Sequence, residues 1–465
     1  MIRYRSTRAT ASGGETDLGF GEVLLAGLAP DGGLYCPVDI PALSDLAPVT
    51  AGTPYAEAAT TIIAPYVAGT FDEAELGEMV TAAYAGFRDP DICPIHRLEP
   101  DQYLLDLTRG PTLAFKDMAL QLVARMLDAE LERRGEHVTV IGATSGDTGS
   151  AAIEALAGRA NIRVVILHPL GRVSEVQRRQ MTTVDAANIS NLAVRGTFDD
   201  CQDLVKAAFA DTVLRSELKL AAVNSINWAR VVSQIPYYVV AARRVSPDGG
   251  PVSFAVPTGN FGNVLAGWYG KRMGLAVDRF VVASNRNDVL TRFFETGRLI
   301  IESVEPSLSP SMDIQVSSNF ERLLWEAGGR VGEAITELIT TLRIRGRVEV
   351  PASWCQVIAS DFDGLRLDDE GTLAVIADVL RTTERLVDPH TAVGIHAARK
   401  LGKHGVPMVT LATADPAKFP DAVESATGRR PELPPHLAEL FDRTEHYDVI
   451  DNSSDSLAAA LRGER

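Results

Sequence analysis

Residues 137–156 read HVTVIGATSGDTGSAAIEAL, and this stretch decides the fold that the sequence predicts. The apolar run at 137–141 is typical of a strand, the glycine-rich residues 142–149 indicate a loop, and the small residues 150–156 indicate a helix. A second apolar run at 162–167 follows as the next strand. A strand, a helix and a strand in this order form a βαβ unit, in which the two strands lie parallel.

Further units of the same kind extend the pattern along the chain. A strand at 190–194 precedes a helix that Thr197 caps and that runs to about residue 210. A strand at 252–256 leads through a glycine loop into a helix that Gly274 stops, and a strand at 280–283 follows. We therefore predict an α/β fold with lobes built on parallel sheets. The other predicted elements are helices at 21–29, 56–67, 320–326, 331–342, 371–386 and 391–400, a long helix from Asn227 to near Arg244, and strands at 220–223 and 408–412.

Composition bounds the class of protein. Acidic residues outnumber basic ones, 61 to 45, so the formal net charge is −16. This charge repels nucleic acid and acidic membranes, and we expect no partner of either kind. The four cysteines are scattered without a CxxC pair, which argues against a zinc site and a disulfide framework. No uncharged apolar run reaches the roughly 20 residues of a membrane span, so we expect a cytoplasmic protein without a metal site.

Residues 108–117, TRGPTLAFKD, place a lysine at the predicted start of a helix. Apolar residues recur at helical spacing from Phe115 to Leu131, Thr112 is the candidate cap, and Gly135 follows the helix. Lys116 therefore lies in the first turn, where the helix dipole disfavours a cation, and a neutral amine is the nucleophile of Schiff-base chemistry. A solvated surface lysine is the alternative.

Two glycine loops narrow the chemistry. The loop of Gly259, Asn260, Phe261, Gly262 and Asn263 lies between a strand and a helix, where backbone N–H groups and the helix dipole bind phosphate. It is neither GxGxxG nor Walker A, so the dinucleotide and ATP interpretations lose their main support. An ordinary βα turn is the alternative for this loop.

The other loop, residues 142–149, adds the hydroxyls of Thr144, Ser145 and Thr148 to its backbone donors, a set that suits a carboxylate. A structural crossover is the alternative. Taken together, two anion-binding loops and a reactive Lys116 indicate a phosphorylated aldehyde cofactor, an amino-acid carboxylate and the amine that links them.

With these motifs the chain resembles the threonine synthases of the longer bacterial and fungal type, which belong to the fold-type II (tryptophan synthase β-like) family of pyridoxal phosphate enzymes. The resemblance covers nearly the whole length and is carried by residues 28–34, 110–117, 143–151, 171–182, 196–203, 224–230, 257–267, 308–322, 388–394 and 413–420. It implies an N-terminal domain at 1–92, a pyridoxal-phosphate-dependent catalytic region at 93–430 and a C-terminal tail at 431–465. Within the catalytic region, a smaller mobile lobe spans about 130–245, and the flanking segments form a larger one.

The resemblance also implies roles for the motif residues. Lys116 forms the Schiff base with pyridoxal 5'-phosphate and later moves protons. Residues Gly259 to Asn263 hold the cofactor phosphate, and Thr413 offers its hydroxyl to the pyridine nitrogen, with a strand-end cap as its alternative. The substrate carboxylate is bound by Thr144, Ser145, Gly146, Asp147 and Thr148, and Asp147 stands where relatives of this fold often carry asparagine.

A separate site is needed for the phosphate of the implied substrate, O-phospho-L-homoserine. The candidate is residues 224–230, NSINWAR, with Ser225, Asn227 and Arg230 as binding residues. Asn227 and Arg230 are three apart and would share a helix face; a surface ion pair is the alternative for Arg230. The implied reaction adds water to give L-threonine and phosphate in a monomer or homodimer. The alternatives are a serine or threonine dehydratase of the same fold and a non-catalytic phosphate or cofactor binder.

One position departs from the family pattern. Asp415 stands where the family usually has histidine, two residues from Thr413. We predict that Asp415 is structural and caps the turn before Pro416, rather than tuning the cofactor.

Overall fold

The computed structural model describes residues 1–10, 17–221 and 225–463. The strands are β1 (Tyr4–Ser6), β2 (Tyr35–Pro37), β3 (Ile95–Glu99), β4 (Gln102–Asp106), β5 (Val138–Ala143), β6 (Ile162–Pro169), β7 (Ile189–Val194), β8 (Leu220–Ala221), β9 (Val252–Pro257), β10 (Val277–Ser284), β11 (Arg298–Ile300), β12 (Arg347–Glu349), β13 (Phe362–Arg366), β14 (Met408–Ala412) and β15 (Asp448–Ile450).

The helices are α1 (Phe20–Ala26), α2 (Tyr55–Val67), α3 (Glu73–Tyr84), α4 (Lys116–Arg134), α5 (Asp147–Leu156), α6 (Glu175–Thr182), α7 (Phe198–Ala210), α8 (Thr212–Glu217), α9 (Trp228–Val232), α10 (Ile235–Val245), α11 (Gly262–Arg272), α12 (Val289–Thr296), α13 (Phe320–Ala327), α14 (Gly332–Arg345), α15 (Ala352–Ala359), α16 (Asp369–Thr383), α17 (Pro389–Leu401), α18 (Pro420–Thr427) and α19 (Ser454–Arg462).

The chain forms two compact units, each made from separated segments. The first unit contains residues 1–110 and 225–431, and the second contains residues 111–224 and 432–465. The second unit therefore includes α4, which lies partly outside the predicted smaller lobe, and the stretch predicted as a tail. Residues 225–245 of that predicted lobe lie in the first unit.

The first unit is built on a six-stranded sheet in the order β13-β10-β9-β14-β4-β3. All of its pairs are parallel except β3 with β4, which run antiparallel. Every residue of β9 is buried, as expected for a parallel strand that is covered on both faces. Helix α17 packs on this sheet, with Val393 and Ala397 against Ala255 and Val281.

The second unit is built on a five-stranded sheet in the order β15-β7-β6-β5-β8, in which all pairs are parallel. Its core joins Ile141 and Val165 on the strands to Leu204 on α7 and to Leu457 and Leu461 on α19. The last segment of the chain thus supplies an edge strand and a packed helix. The predicted α/β class is confirmed in both units.

Local signals in the sequence predicted some elements accurately and failed for others. Strand β14 has the predicted bounds, and Thr197 forms the predicted capping box with Asp200 at the start of α7. The predicted long helix after Asn227 is wrong, because α9 ends at Val232 and α10 begins afresh just before Pro236. Helix α5 begins three residues earlier than predicted. The predicted strand at 220–223 is seen to Ala221, and residues 222–224, with Asn224 of the predicted phosphate motif, lie outside the described residues.

Candidate active site

Lys116 is the first residue of α4, as predicted, but the start of this helix is held differently. Thr112 does not cap the helix; its N–H and hydroxyl both donate to the Asp117 carboxylate, at 2.8 and 2.7 Å. Leu113, just before the helix, has a left-handed backbone with φ of 64°, which is uncommon for a non-glycine residue. The acid in the first turn of α4 therefore fastens the preceding loop and fixes the direction in which Lys116 leaves the helix.

Lys116 is buried, and the predicted alternative of a solvated lysine is wrong. Only 7% of the residue is exposed, and its Nζ lies 3.1 Å from Asp147 Oδ2. The other oxygen of Asp147 accepts a hydrogen bond of 2.8 Å from Gln177 Nε2. The dipole of α4 disfavours a cation in the first turn of the helix. The ion pair opposes that effect, because a carboxylate at this distance stabilises the ammonium form.

The 142–149 loop ends at the start of α5, and Thr144 organises it. Its buried Oγ1 accepts hydrogen bonds from the N–H groups of Gly146 and Gly149, at 3.0 and 2.9 Å. Gly146 has φ of 142°, and a Cβ there would lie 2.5 Å from the Gln177 side chain. A Cβ on Gly149 would lie 2.5 Å from Thr144 itself. Only glycine fits these two positions, so the loop holds the first turn of α5 against α6.

The glycine loop after β9 has the form of an anion cradle. Phe261 has a left-handed backbone with φ of 62°, and α11 begins at Gly262. The N–H of Leu265 bonds to Phe261 O, so the N–H groups of residues 262–264 precede the first such bond of the helix. A Cβ on Gly259 would lie 2.7 Å from Ser311 O. This set of backbone donors at a helix N-terminus fits a phosphate group.

The side chains of this loop serve the fold. Asn263 Oδ1 accepts hydrogen bonds from the hydroxyls of Tyr237 and Tyr238, at 2.6 and 2.7 Å. Phe261 is buried, with its ring 5.1 Å from that of Phe320. The loop therefore offers its backbone to a ligand, while these two side chains anchor it in the core.

Thr413 directly follows β14 and is buried, and its N–H lies 3.3 Å from Thr391 Oγ1. Asp415, two residues later, accepts a 3.0 Å hydrogen bond from the N–H of Ala417 at the start of a short turn. The predicted capping role of Asp415 is confirmed. Burial raises the pKa of this carboxyl, although Arg88, 3.7 Å away, acts in the opposite direction. Asp415 also lines a cavity of about 170 Å³.

Arg230 is one of the buried charged residues of the first unit. The predicted alternative of a surface ion pair is wrong, because Arg230 is 5% exposed and its Nε and Nη1 have no hydrogen-bond partner among the described residues. Burial lowers its pKa to about 10. A buried guanidinium without acceptors is unfavourable and is expected to bind an anion.

Asn227 does not share a helix face with Arg230. It precedes α9 as the cap, accepting from the Ala229 N–H at 3.0 Å, and its Nδ2 donates to Leu24 O at 2.9 Å. Its side chain is therefore committed to the fold. Ser225 Oγ lies 3.3 Å from Ser318 Oγ.

Several residues of the site were not predicted from the sequence. Gln177 orients Asp147, and Asn319 and Arg322 donate to the backbone around Ser225 and Asn260. Asn319 and Arg322 lie in residues 308–322, which are among those that carry the family resemblance. The spacing of residues in this stretch predicted no role for either side chain. The role of a buried polar residue can be assigned only when its hydrogen-bond partners are known, and these partners are distant in the sequence.

Comparisons with known proteins show the family to which the chain is similar. The family described as "Threonine synthase N terminus" matches residues 3–84, "Pyridoxal-phosphate dependent enzyme" matches 94–413, and "Threonine synthase, C-terminal" matches 391–460. A threonine synthase of Pseudomonas aeruginosa is 49% identical over 97% of this chain and 96% of its own. The structure titled as pyridoxal-phosphate-bound threonine synthase from Brucella melitensis has a TM-score of 0.94 at 45% identity, covering 100% and 99% of the two chains. A yeast threonine synthase structure has a TM-score of 0.93 at 35% identity, covering 100% and 98%.

Proposed function

This chain belongs to the threonine synthase family of pyridoxal-phosphate-dependent enzymes, and on that premise we propose that it converts O-phospho-L-homoserine and water into L-threonine and phosphate. The reaction removes the γ-phosphate and adds water at Cβ. Pyridoxal phosphate, when bound, supplies the electron sink for the loss of carbon-bound protons. The residues of this chain bind two phosphate groups, orient the substrate and move the protons.

The cradle of Gly259 to Asn263 is the proposed site of the cofactor phosphate. The fit is supported by the N–H groups at the start of α11 and by Gly259, where any Cβ would collide with Ser311 O at 2.7 Å. Thr413 is proposed to meet the pyridine nitrogen with a hydroxyl. A neutral partner of this kind leaves that nitrogen largely unprotonated, which moderates the electron sink.

Lys116 is the proposed covalent attachment point and, once the substrate amine has displaced it, the base that removes protons. Asp147, 3.1 Å from Nζ, holds the amine in place and balances the charge that it gains with each proton. Gln177 fixes the second oxygen of Asp147. The Asp147 carboxylate therefore serves the lysine, whereas the substrate carboxylate is left to Thr144, Ser145, Gly146 and Thr148 and to the first N–H groups of α5.

Arg230 is proposed to bind the substrate phosphate together with Ser225 and with the backbone N–H of Asn227, whose side chain is committed to the fold. The single observation that carries the assignment of substrate is the buried Arg230 guanidinium with two nitrogens that lack described partners. A phosphate oxygen would satisfy them and offset the burial of the charge. A second phosphate site of this kind separates the proposed reaction from that of a dehydratase, whose substrate carries no phosphate.

The test uses purified holoenzyme with O-phospho-L-homoserine. We expect phosphate and threonine to appear in equal amounts. A dehydratase would instead form 2-oxo acid from threonine or serine without phosphate release. A non-catalytic binder would change its cofactor absorbance with the ligand and release nothing. Location in the cytoplasm and a monomeric or homodimeric state are part of the proposal; none of the described helices is long and apolar enough to cross a membrane.

A further inference from the structure

A polar segment before and within the first turn of α13 contacts both proposed phosphate-binding stretches of the first unit. It consists of Ser317, Ser318, Asn319 and Arg322, and we refer to it as the 317–322 segment. Asn319 and Arg322 are completely buried. Neither residue has a role in the proposed reaction.

Asn319 donates to both stretches with a single side chain. Its Nδ2 lies 3.0 Å from Asn260 O in the cofactor cradle and 3.0 Å from Ser225 O in the proposed substrate-phosphate stretch. Its backbone N–H donates to Asn260 O as well, at 3.1 Å. The position of each loop is therefore tied to the same amide group.

Arg322 and Ser317 complete the set. Arg322 Nη1 donates to Asn319 Oδ1, and its Nη2 donates to Ile226 O at 2.6 Å. Ser317 Oγ donates to Gly259 O at 2.7 Å. Arg322 Nη1 orients the Asn319 side chain, and the other donors bind backbone carbonyls. Two of these carbonyls lie in the cofactor cradle and two in the proposed substrate-phosphate stretch.

Binding the carbonyls sets the direction of the N–H groups. In a trans peptide the C=O of one residue and the N–H of the next lie in one plane and point in opposite directions. Holding the carbonyls of Gly259 and Asn260 therefore turns the N–H groups of Asn260 and Phe261 away from the 317–322 segment. The carbonyl of Ile226, held by Arg322, orients the N–H of Asn227 in the same way. These are the donors that an anion requires.

We propose that Asn319 is a positioning residue that couples binding of the cofactor phosphate to binding of the substrate phosphate. This inference rests on the proposed function of the two stretches. When one stretch binds its phosphate and becomes ordered, the Asn319 amide is fixed as well. The other stretch is then already ordered when it binds the second phosphate. Such coupling is reciprocal.

Asn319→Asp is the test, because it keeps the shape and the Arg322 contact but replaces the Nδ2 donor by an oxygen facing two carbonyls. We expect the dissociation constant of pyridoxal phosphate and the KM for O-phospho-L-homoserine both to rise about tenfold or more, with kcat falling less than threefold. Asn191→Asp is the matched control, since Asn191 is a buried asparagine whose Nδ2 donates to Met181 O. The control is expected to change thermal stability but neither constant.

Loss of thermal stability in Asn319→Asp with both constants unchanged would overturn the proposal, as would a change in kcat alone. If this variant does not fold, Ser318→Ala decides, because Ser318 Oγ lies 3.3 Å from both Asn260 Oδ1 and Ser225 Oγ. A joint rise of about threefold is then expected, and two unchanged constants refute the coupling. Absence of phosphate release in the wild type would instead refute the proposed reaction, while the cofactor measurement would still test Asn319.

Discussion

At the scale of single residues, Lys116 provides the sharpest test. Lys116→Ala is expected to abolish the covalent link to the cofactor, its near-visible absorbance and turnover, because the buried Nζ beside Asp147 is the proposed attachment point. Borohydride reduction of the wild type followed by peptide mapping should place the label on the peptide that contains Lys116. Label on any other lysine would contradict the assignment.

Arg230→Ala is expected to lower kcat/KM for O-phospho-L-homoserine about tenfold to hundredfold while leaving cofactor affinity unchanged. A charge-assisted contact to phosphate contributes roughly 1.5–3 kcal/mol, which corresponds to that loss. Steady-state kinetics and cofactor titration measure the two effects separately. Arg244→Ala is the control, since Arg244 lies on a partly exposed part of α10 and is paired there with Asp91. Loss of cofactor in Arg230→Ala would move the substrate phosphate elsewhere.

Asp415→His is expected to keep activity and the cofactor spectrum and to cost about 1 kcal/mol of stability through loss of the cap on Ala417. The cofactor is unaffected on this view because Asp415 faces Arg88 and the turn. Spectra recorded against pH and a denaturant titration give both quantities. A large shift in the titration of the bound cofactor would make Asp415 an electronic tuner of the ring.

These residues show how far the sequence alone reaches. Lys116 at a helix start, the cap by Asp415 and the glycine cradle follow from neighbours in the chain, and local chemistry predicts them. Local chemistry does not predict the partner of Lys116, because Asp147 is 31 residues away and the contact depends on how α4 and α5 pack. For the same reason the sequence left a surface ion pair open as the alternative for Arg230, because its burial is decided by residues on other elements.

At the scale of elements, the turn from β9 into α11 depends on the absence of a side chain. Gly259→Ala is expected to weaken pyridoxal phosphate binding at least tenfold, because the new Cβ would lie 2.7 Å from the backbone oxygen of Ser311 and would push the cradle out of shape. Equilibrium dialysis of the cofactor is the measurement. Gly52→Ala is the control, since a Cβ there meets nothing within 4 Å. Equal cofactor affinity in both variants would contradict the role of the cradle.

Element prediction from sequence succeeded where the signal is continuous. Strand β14 is apolar apart from Thr410, and α7 has a complete capping box, so both were predicted closely. The antiparallel pair of β3 and β4 was missed, because β3 is only partly buried and neither strand alternates cleanly between buried and exposed residues. The division between α9 and α10 was also missed, although Pro236 marks it, because the apolar pattern continues across the break.

At the scale of the whole molecule, the last segment is part of the core of the second unit. Leu461→Ala is expected to reduce the free energy of unfolding by about 2–5 kcal/mol, since Leu461 is fully buried against the sheet. Val449→Ala, on the exposed side of β15, is expected to change it by less than about 0.5 kcal/mol. Urea unfolding with hydrogen exchange at β7 is the measurement. Equal stability of the two variants would show that α19 contributes little.

The sequence predicted this segment only as a tail, since each of its elements is short, three residues in β15 and nine in α19. Its three-residue strand, β15, forms by parallel pairing with Leu192–Val194 of β7, far earlier in the chain. Such pairing cannot be read from either segment by itself. The α/β class, in contrast, was predicted from the repeated strand–loop–helix order, which is a property of consecutive residues.

Because β15 and α19 complete the second unit, the order of synthesis affects how the protein matures. Residues 111–224 leave the ribosome long before residues 432–465, and in that interval β7 lacks its edge partner while Leu204 and Val194 lack the cover of Leu457 and Leu461. A nascent chain that stalls before residue 448 therefore carries an open strand edge, the kind of surface that invites aggregation. Emergence of β15 and α19, rather than completion of residues 111–224, is the event that closes this unit.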